Sequence, residues 1–349
     1  ETFDELEEAE GILELLEREI VNKKRTFNEF VILYRTNAQS RALEDALRRR
    51  GIAYRIVGGV RFYERKEVKD LLAYLRLIVN SVDTVSLKRV VNFPPRGVGV
   101  KTVEKCEEYS REKGISLLAS TADPDAFELK GKPAEGLKDF NSLIVKYAEL
   151  LPKLSAAELS SAVVDELGLV SFYKEQATAE ATERLANVQE LLNSIEDFCQ
   201  DNPKTGLREF LEEVSLLTDL DNWNQDANSV TLMTTHTAKG LEFPVVFIAG
   251  MDEGLFPLAR HMDCIDELEE ERRLFYVALT RAQDRAFLHY ATNRRRFNGI
   301  YGMGIASRFV HEIPEENLEI ITFRSAVTRK LVRGKAGKYK LKQVRTVTN

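Results

Sequence analysis

The sequence predicts an α/β protein in which a parallel-sheet domain is interrupted by an all-α insertion. Three observations carry this. Short apolar, β-branched runs at 30–34, 53–57, 230–235 and 244–249 have the length of buried parallel strands. Helical patterns alternate with them at both ends of the chain. Between residues 80 and 228 the pattern is helical throughout, with no convincing strand. The simplest division joins 1–79 and 229–313 into one domain, inserts the helical block 80–228 between them, and leaves 314–349 as a basic tail.

In order, residues 5–20 place Leu6, Ile12, Leu13, Leu16 and Ile20 at helical spacing among carboxylates. The run FVILY at 30–34 reads as a buried strand. Asn37 is the expected N-cap of a helix over 38–50, which Gly51 terminates. A strand at 53–57 ends at Gly58-Gly59, and a helix over 66–79 carries Val68, Leu71, Leu72, Leu75 and Ile78 on one stripe. Helices over 102–111, 137–150, 156–167, 182–198 and 207–217 follow, separated by glycine and proline turns. The α/β pattern resumes at 230, passes through a helix at 267–280 and reaches a strand at 285–290.

Composition excludes several classes. The 349 residues are 44% hydrophobic and 30% charged, and no apolar run approaches the roughly 20 residues that span a bilayer. The acidic start, ETFDELEEAE, is unlike a secretory or transit signal, so the expectation is a cytoplasmic protein without membrane partners. A first residue of Glu in place of Met reads as a segment cut from a longer protein. Cys106, Cys199 and Cys264 form no CxxC pair, and four histidines show no ligand spacing, so no metal site is expected. A net charge of −6 argues against a protein basic all over but leaves room for a local basic groove. The tail concentrates Lys330, Arg333, Lys335, Lys338, Lys340, Lys342 and Arg345, and reads as a solvated, flexible end.

The stretch 230–250, VTLMTTHTAKGLEFPVVFIAG, organises the rest. A polar segment with His236, Lys239, Gly240 and Glu242 separates two buried strands, and open parallel sheets bind ligands beyond the carboxyl ends of their strands. An ordinary connecting loop has equal standing on pattern alone. Arg281 follows the 267–280 helix directly and precedes a strand; it is either a partner for the helix dipole or a fork for a phosphate. Arg96-Gly97-Val98-Gly99 leads into a helix with Lys101 in its first turn, which suits either a glycine-packed helix–helix turn or a phosphate contact. The run Arg294, Arg295, Arg296 with Phe297 is either a solvated charge run beside a core ring or a nucleic-acid surface with a base-stacking face. Gly97–Thr102 lacks the Gly-Lys of a phosphate-cradling P-loop and follows Pro94-Pro95 instead of a strand.

Three segments together resemble superfamily I DNA helicases of the UvrD/PcrA/Rep type. TTHTAKGLEFPVVFIAGMDEGLFP (234–257) looks like motif V, EEERRLFYVALTRAQD (269–284) like motif VI, and VILYRTNAQSRALEDALRRRGIAYRIVGGVRFYERKEVKDLLAYLRLI (31–78) like the segment between motifs IV and V. The resemblance runs to about residue 314. It implies that the α/β halves form a RecA-like domain (2A) of P-loop NTPase type, without the P-loop itself, and that the helical block is domain 2B. It further implies ATP with Mg2+ as cofactor, hydrolysis driving 3′-to-5′ movement on single-stranded DNA, and a junction of single- and double-stranded DNA as partner, with repair or replication proteins beside it. By motif match Arg281 would be the arginine finger, Glu242 the ribose contact, and Lys239-Gly240 neighbours of the nucleotide. Thr234 and His236 would touch the single strand, Phe297 would stack on a base, and Arg96, Gly97, Gly99 and Lys101 would belong to the element that grips duplex. Thr235 and Thr237 depart from the usual Leu and Ser/Ala. The Walker A lysine, the Mg2+-binding Asp-Glu pair, the water-positioning Gln and the motif IV Tyr-Arg would lie in an N-terminal RecA-like domain, so this chain alone should be inactive. The alternative is a non-catalytic DNA- or partner-binding module with a helicase-like fold.

Overall fold

The computed structural model describes residues 1–203, 205–223, 228–295 and 301–321. Five parallel strands build its main sheet: β1 (Phe30–Tyr34), β2 (Tyr54–Val57), β3 (Val230–Thr234), β4 (Phe243–Ile248) and β5 (Ala282–Leu288). Their spatial order is β2-β3-β1-β4-β5, so β1 lies between the two strands of the 230–250 stretch. The period of two then sorts side chains onto two faces. Phe30, Ile32, Val230, Leu232, Val245 and Phe247 meet α1 (Glu5–Lys23) and α2 (Ser40–Arg49) on one face. Val31, Leu33, Met233, Val246 and Ile248 face the other way, towards Phe275 and Ala278. A sheet buried on both sides explains why β1 and β4 read as continuous apolar runs without alternation.

The helical block consists of α3 (Lys66–Val79), α4 (Thr84–Val90), α5 (Val100–Lys113), α6 (Leu117–Ser120), α7 (Lys132–Leu150), α8 (Ala156–Glu166), α9 (Leu169–Lys174), α10 (Ala179–Asp201) and α11 (Leu207–Trp223). After β4 come α12 (Ile265–Leu279) and α13 (Arg308–His311), with a small antiparallel pair, β6 (Asn293–Arg295) and β7 (Tyr301–Met303), between β5 and α13. No helix among the described residues is long and apolar enough to cross a membrane. Of the basic tail, everything from residue 322 onward lies outside the described residues.

Two of the differences from the sequence expectations concern the division of the cores and a helix cap. The boundary drawn at residue 79 does not coincide with the division of the cores: Leu71, Leu72, Tyr74, Leu75 and Ile78 of α3 pack in the helical cluster with Phe140, Ile144 and Leu191. A βα alternation suggests a sheet-covering helix, but the α3 stripe is wide enough to be surrounded by other helices. Asn37 is not the cap of α2. A 3-10 turn at Asn37–Gln39 precedes that helix, and Gln39 Oε1 accepts from the N–H groups of Arg35 (2.9 Å) and Thr36 (2.8 Å). Asn37 instead donates from Nδ2 to Glu183 on α10 at 2.9 Å.

The core also contains His289, which is 4% exposed and whose Nε2 has no partner among the described residues. Burial, with the amino-terminal charge in second place, lowers its pKa from 6.5 to about 3. Between those values the unfolded chain binds more protons than the folded one, so the contribution of a neutral His289 is complete above pH 6.5 and is lost as pH falls towards 3. The difference in unfolding free energy between the parent and His289→Phe should therefore vary with pH in that window, by up to about 1.4 kcal/mol per unit in denaturant titrations. A difference independent of pH would contradict a buried neutral imidazole.

Candidate functional site

The parallel topology gives the 230–250 stretch two ends on opposite edges of the sheet. Strand β3 finishes at Thr234 on the carboxyl edge, while β4 begins at Phe243 on the amino edge and runs in the same direction. Residues 235–242 must therefore cross the sheet, and they do so over the face that holds α12, anchored by fully buried Ala238. The turn is tied to the strand end by Thr237 N–H to Thr234 O (3.0 Å) and by a 2.9 Å contact between the Thr234 and Thr237 hydroxyls. Gly58, at φ 72°, closes over Thr237: a Cβ there would lie 2.7 Å from the Thr237 methyl. The departure at Thr237 thus packs against the loop after β2. Thr235 is buried, its backbone N–H bonded to Tyr34 O at 2.9 Å.

At the carboxyl edge Thr234 is half-buried and His236 is exposed. Desolvation of the inner side of the His236 ring, followed by the Arg35 charge, lowers its pKa below the ordinary imidazole range. Behind it lies a cluster whose members the sequence reading gives no role. Arg35, the first residue after β1, forks onto Glu271 of α12 through Nε–Oε2 (2.9 Å) and Nη2–Oε1 (2.5 Å), and His261 Nδ1 meets Glu271 Oε1 at 2.7 Å. Glu271 is 1% exposed. Burial alone would raise its carboxyl pKa, but Arg35 and then His261 together hold it below the usual carboxylate range. The sequence does hold one signal: Leu268, Glu271, Phe275 and Ala278 fall on one helical stripe, so the third acid of EEERR has to face inward.

The amino edge gathers the other candidates. Arg281 stands immediately before β5 and Glu242 immediately before β4, and the two strands pair from Phe243–Ala282 onward. Arg281 donates from Nη1 to Leu241 O (3.0 Å), from Nε to Val277 O (3.0 Å) and from Nη2 to Thr280 Oγ1 (3.2 Å). Its partners are all neutral. Gln283 Nε2 reaches Glu242 Oε2 at 3.4 Å. Lys239, Gly240 and Glu242 are exposed, Gly240 at φ 85°. Glu242 and Arg281 therefore share one edge, with His236 and Thr234 on the opposite one. Only the second pair lies beyond the carboxyl ends of the strands, where open parallel sheets place their ligands.

The remaining candidates divide. Gly97, Gly99 and Lys101 form an exposed lip at the start of α5. Arg96 does not join them. Its Nη1 donates inward to the carbonyls of Phe93 (2.9 Å), Pro94 (3.3 Å) and Val90 (3.4 Å), and the guanidinium lies over the rings of Phe140 (5.6 Å) and Tyr74 (5.8 Å). The loop backbone is pressed so closely on α7 that a Cβ at Gly136 would collide with the Arg96 carbonyl oxygen. Arg96 thus fixes the turn, which is the packing alternative read from its glycines. Arg294 is also turned inward, between Glu8 (2.5 Å) and Asp252 (2.7 Å), and is no phosphate contact in this arrangement. Arg296 and Phe297 lie outside the described residues.

Comparison with known proteins adds an independent line. The UvrD-like helicase C-terminal domain family matches residues 1–293. The chain is 41% identical over 302 residues to the ATP-dependent DNA helicase PcrA of Bacillus subtilis, covering 85% of this chain and 41% of that protein. It is 40% identical over 326 residues to PcrA of Staphylococcus aureus (91% of this chain, 44% of that protein) and 40% identical over 324 residues to PcrA of Staphylococcus epidermidis, with the same coverage. The chain thus spans less than half the length of these relatives.

Proposed function

Because the chain belongs to the UvrD-like helicase C-terminal domain family, we propose that it is the C-terminal motor half of an ATP-dependent 3′-to-5′ DNA helicase. In this reading the sheet and its covering helices are domain 2A and the helical block is domain 2B. ATP lies between the amino edge of this sheet and an N-terminal RecA-like domain, and single-stranded DNA follows the carboxyl edge. The observation that carries the reading is the placement of Arg281 and Glu242 at one edge of the sheet and of Thr234 and His236 at the other, the crossing segment 235–242 linking the two edges. Gly97, Gly99 and Lys101 would meet the duplex at the junction, and the protein would act in the bacterial cytoplasm at the nucleoid.

The chemistry assigned to this half is electrostatic. A guanidinium whose described partners are uncharged oxygens keeps its charge for the phosphoryl group, where negative charge spreads over the oxygens in the transition state. Glu242 accepts the ribose hydroxyl, and Lys239-Gly240 border the nucleotide. Mg2+ would neutralise the phosphates, but this edge does not fit it: a hard cation takes several oxygen ligands, and Glu242, the carboxylate here, is held by Gln283. The ion belongs with the other half.

In the chain joined to its N-terminal half, Glu242→Ala should raise KM for ATP about tenfold, the value of one lost charge-assisted hydrogen bond, with kcat changed less than twofold. Steady-state ATP turnover measures both constants. A fall in kcat at constant KM would remove Glu242 from the ribose.

A further inference from the structure

The backbone that carries Arg281 is fixed without help from side chains. Thr280 closes α12 with its N–H bonded to Tyr276 O at 3.0 Å, and the Arg281 N–H meets Ala278 O at 3.2 Å. The Arg281 carbonyl accepts from Phe243 N–H at 2.9 Å, where β4 begins. The guanidinium is a separate matter: it stands at the end of a long, rotatable side chain, and one orientation is kept only by partners of its own.

Two of those partners, Leu241 O and Val277 O, are backbone carbonyls and would be present whatever residues stood at 241 and 277. The third is the Thr280 hydroxyl, 3.2 Å from Nη2, the one side chain among the described residues that Arg281 meets by a hydrogen bond. The sense of that bond is settled. The hydroxyl hydrogen goes to Val277 O at 3.0 Å, so towards Arg281 the oxygen can only accept. Val277 O thus takes both Arg281 Nε and Thr280 Oγ1, and the three groups close a small ring at the end of α12. A guanidinium carries five N–H groups. Nε, one N–H of Nη1 and one of Nη2 are used in this way, which leaves, among the described residues, one N–H on each terminal nitrogen, a pair able to fork onto two phosphoryl oxygens.

We propose that Thr280 is a positioning residue for Arg281: its hydroxyl holds the guanidinium so that the two remaining terminal N–H groups serve the phosphoryl group. The inference rests on the reading of Arg281 as the arginine finger. A threonine at a helix end often does no more than bond back to a carbonyl of the last turn. Here the second bond, from Nη2, ties that hydroxyl to the reacting charge.

The test is steady-state ATP turnover at saturating single-stranded DNA in the chain joined to its N-terminal half, with thermal unfolding of each variant alongside. Thr280→Val keeps the branched shape and removes the hydroxyl. It should lower kcat about tenfold, the size of one hydrogen bond to a charged group, and change KM for ATP less than about twofold, because the finger acts mainly on the transition state. Thr280→Ser restores the acceptor and should turn over within about twofold of the parent. Thr280 is exposed, so both variants should unfold at the parent temperature. Thr280→Val with the parent's kcat, Thr280→Ser as slow as Thr280→Val, or a loss of kcat matched by a lowered unfolding temperature would each overturn the positioning role and leave the finger standing, provided Arg281→Ala is slow. Arg281→Ala at the parent's rate would overturn the finger reading, and the role of Thr280 with it.

Discussion

Arg281→Ala, made in the chain joined to its N-terminal half, should lower ATP turnover by about 10³- to 10⁵-fold, the range that an arginine finger supplies. The geometry favours so large an effect. Arg281 is placed by the end of α12 and the start of β5, two elements fixed in the core through Phe275 and Ala278 and through pairing with β4. Its hydrogen bonds go to Leu241, Val277 and Thr280, and among the described residues it makes no ion pair. Removing it should therefore leave folding almost unchanged while removing charge from the transition state. Arg281→Lys should recover only part of the rate, because an ammonium cannot fork two N–H groups onto phosphoryl oxygens. Turnover at saturating single-stranded DNA is the readout, and a rate for Arg281→Ala within threefold of the parent would refute the role.

Glu271→Ala should destabilise the fold by about 3 to 5 kcal/mol, since it strips the partner from a guanidinium held mostly out of water. The Arg35 side chain is 10% exposed and that of Glu271 2%, so solvent screens the pair little. His261 loses its carboxylate as well. The consequence extends beyond stability. Glu271 sits on the helix that ends beside Arg281, and Arg35 sits at the strand end beside Thr234, so this pair clamps the carboxyl edge to the helix that positions the amino edge. Equilibrium denaturation of the chain measures the loss. Replacing both residues by apolar side chains of similar volume should cost much less than either single change, because no buried charge is then left alone. A Glu271→Ala variant as stable as the parent would show that the pair is solvated in solution.

Much of this fold is legible in the amino-acid sequence. The central strands are, because a parallel strand buried on both faces is a continuous apolar run: FVILY at 30–34 and FPVVFI at 243–248 admit few other readings, whereas β5, expected at 285–290, begins at Ala282 with exposed polar residues. Helix extents read slightly short, since α10 begins at Ala179 and not near 182, its cap being Thr178, whose hydroxyl accepts from Ala181 N–H at 3.1 Å. Charge is the least legible property. Arg96, Arg294 and Arg35 are all arginines in polar surroundings, and sequence cannot tell which way a guanidinium turns. Arg96 and Arg294 are candidate phosphate contacts by pattern and point inward, while Arg35, inside the 31–78 segment, has no role assigned by pattern although it organises an edge. The division of 230–250 between two edges is equally hidden, because strand direction and order, and hence the crossing by 235–242, are properties of the whole sheet.

The central claim is that this chain supplies one wall of a nucleotide site and the DNA-linked segment behind it, and is inert without the other wall. The most direct measurement is DNA-stimulated ATP turnover by the purified chain alone and by the same chain joined to its N-terminal half. The account predicts no turnover above background for the chain alone and turnover for the joined protein that depends on Arg281. Turnover by the chain alone, abolished by Arg281→Ala, would contradict it.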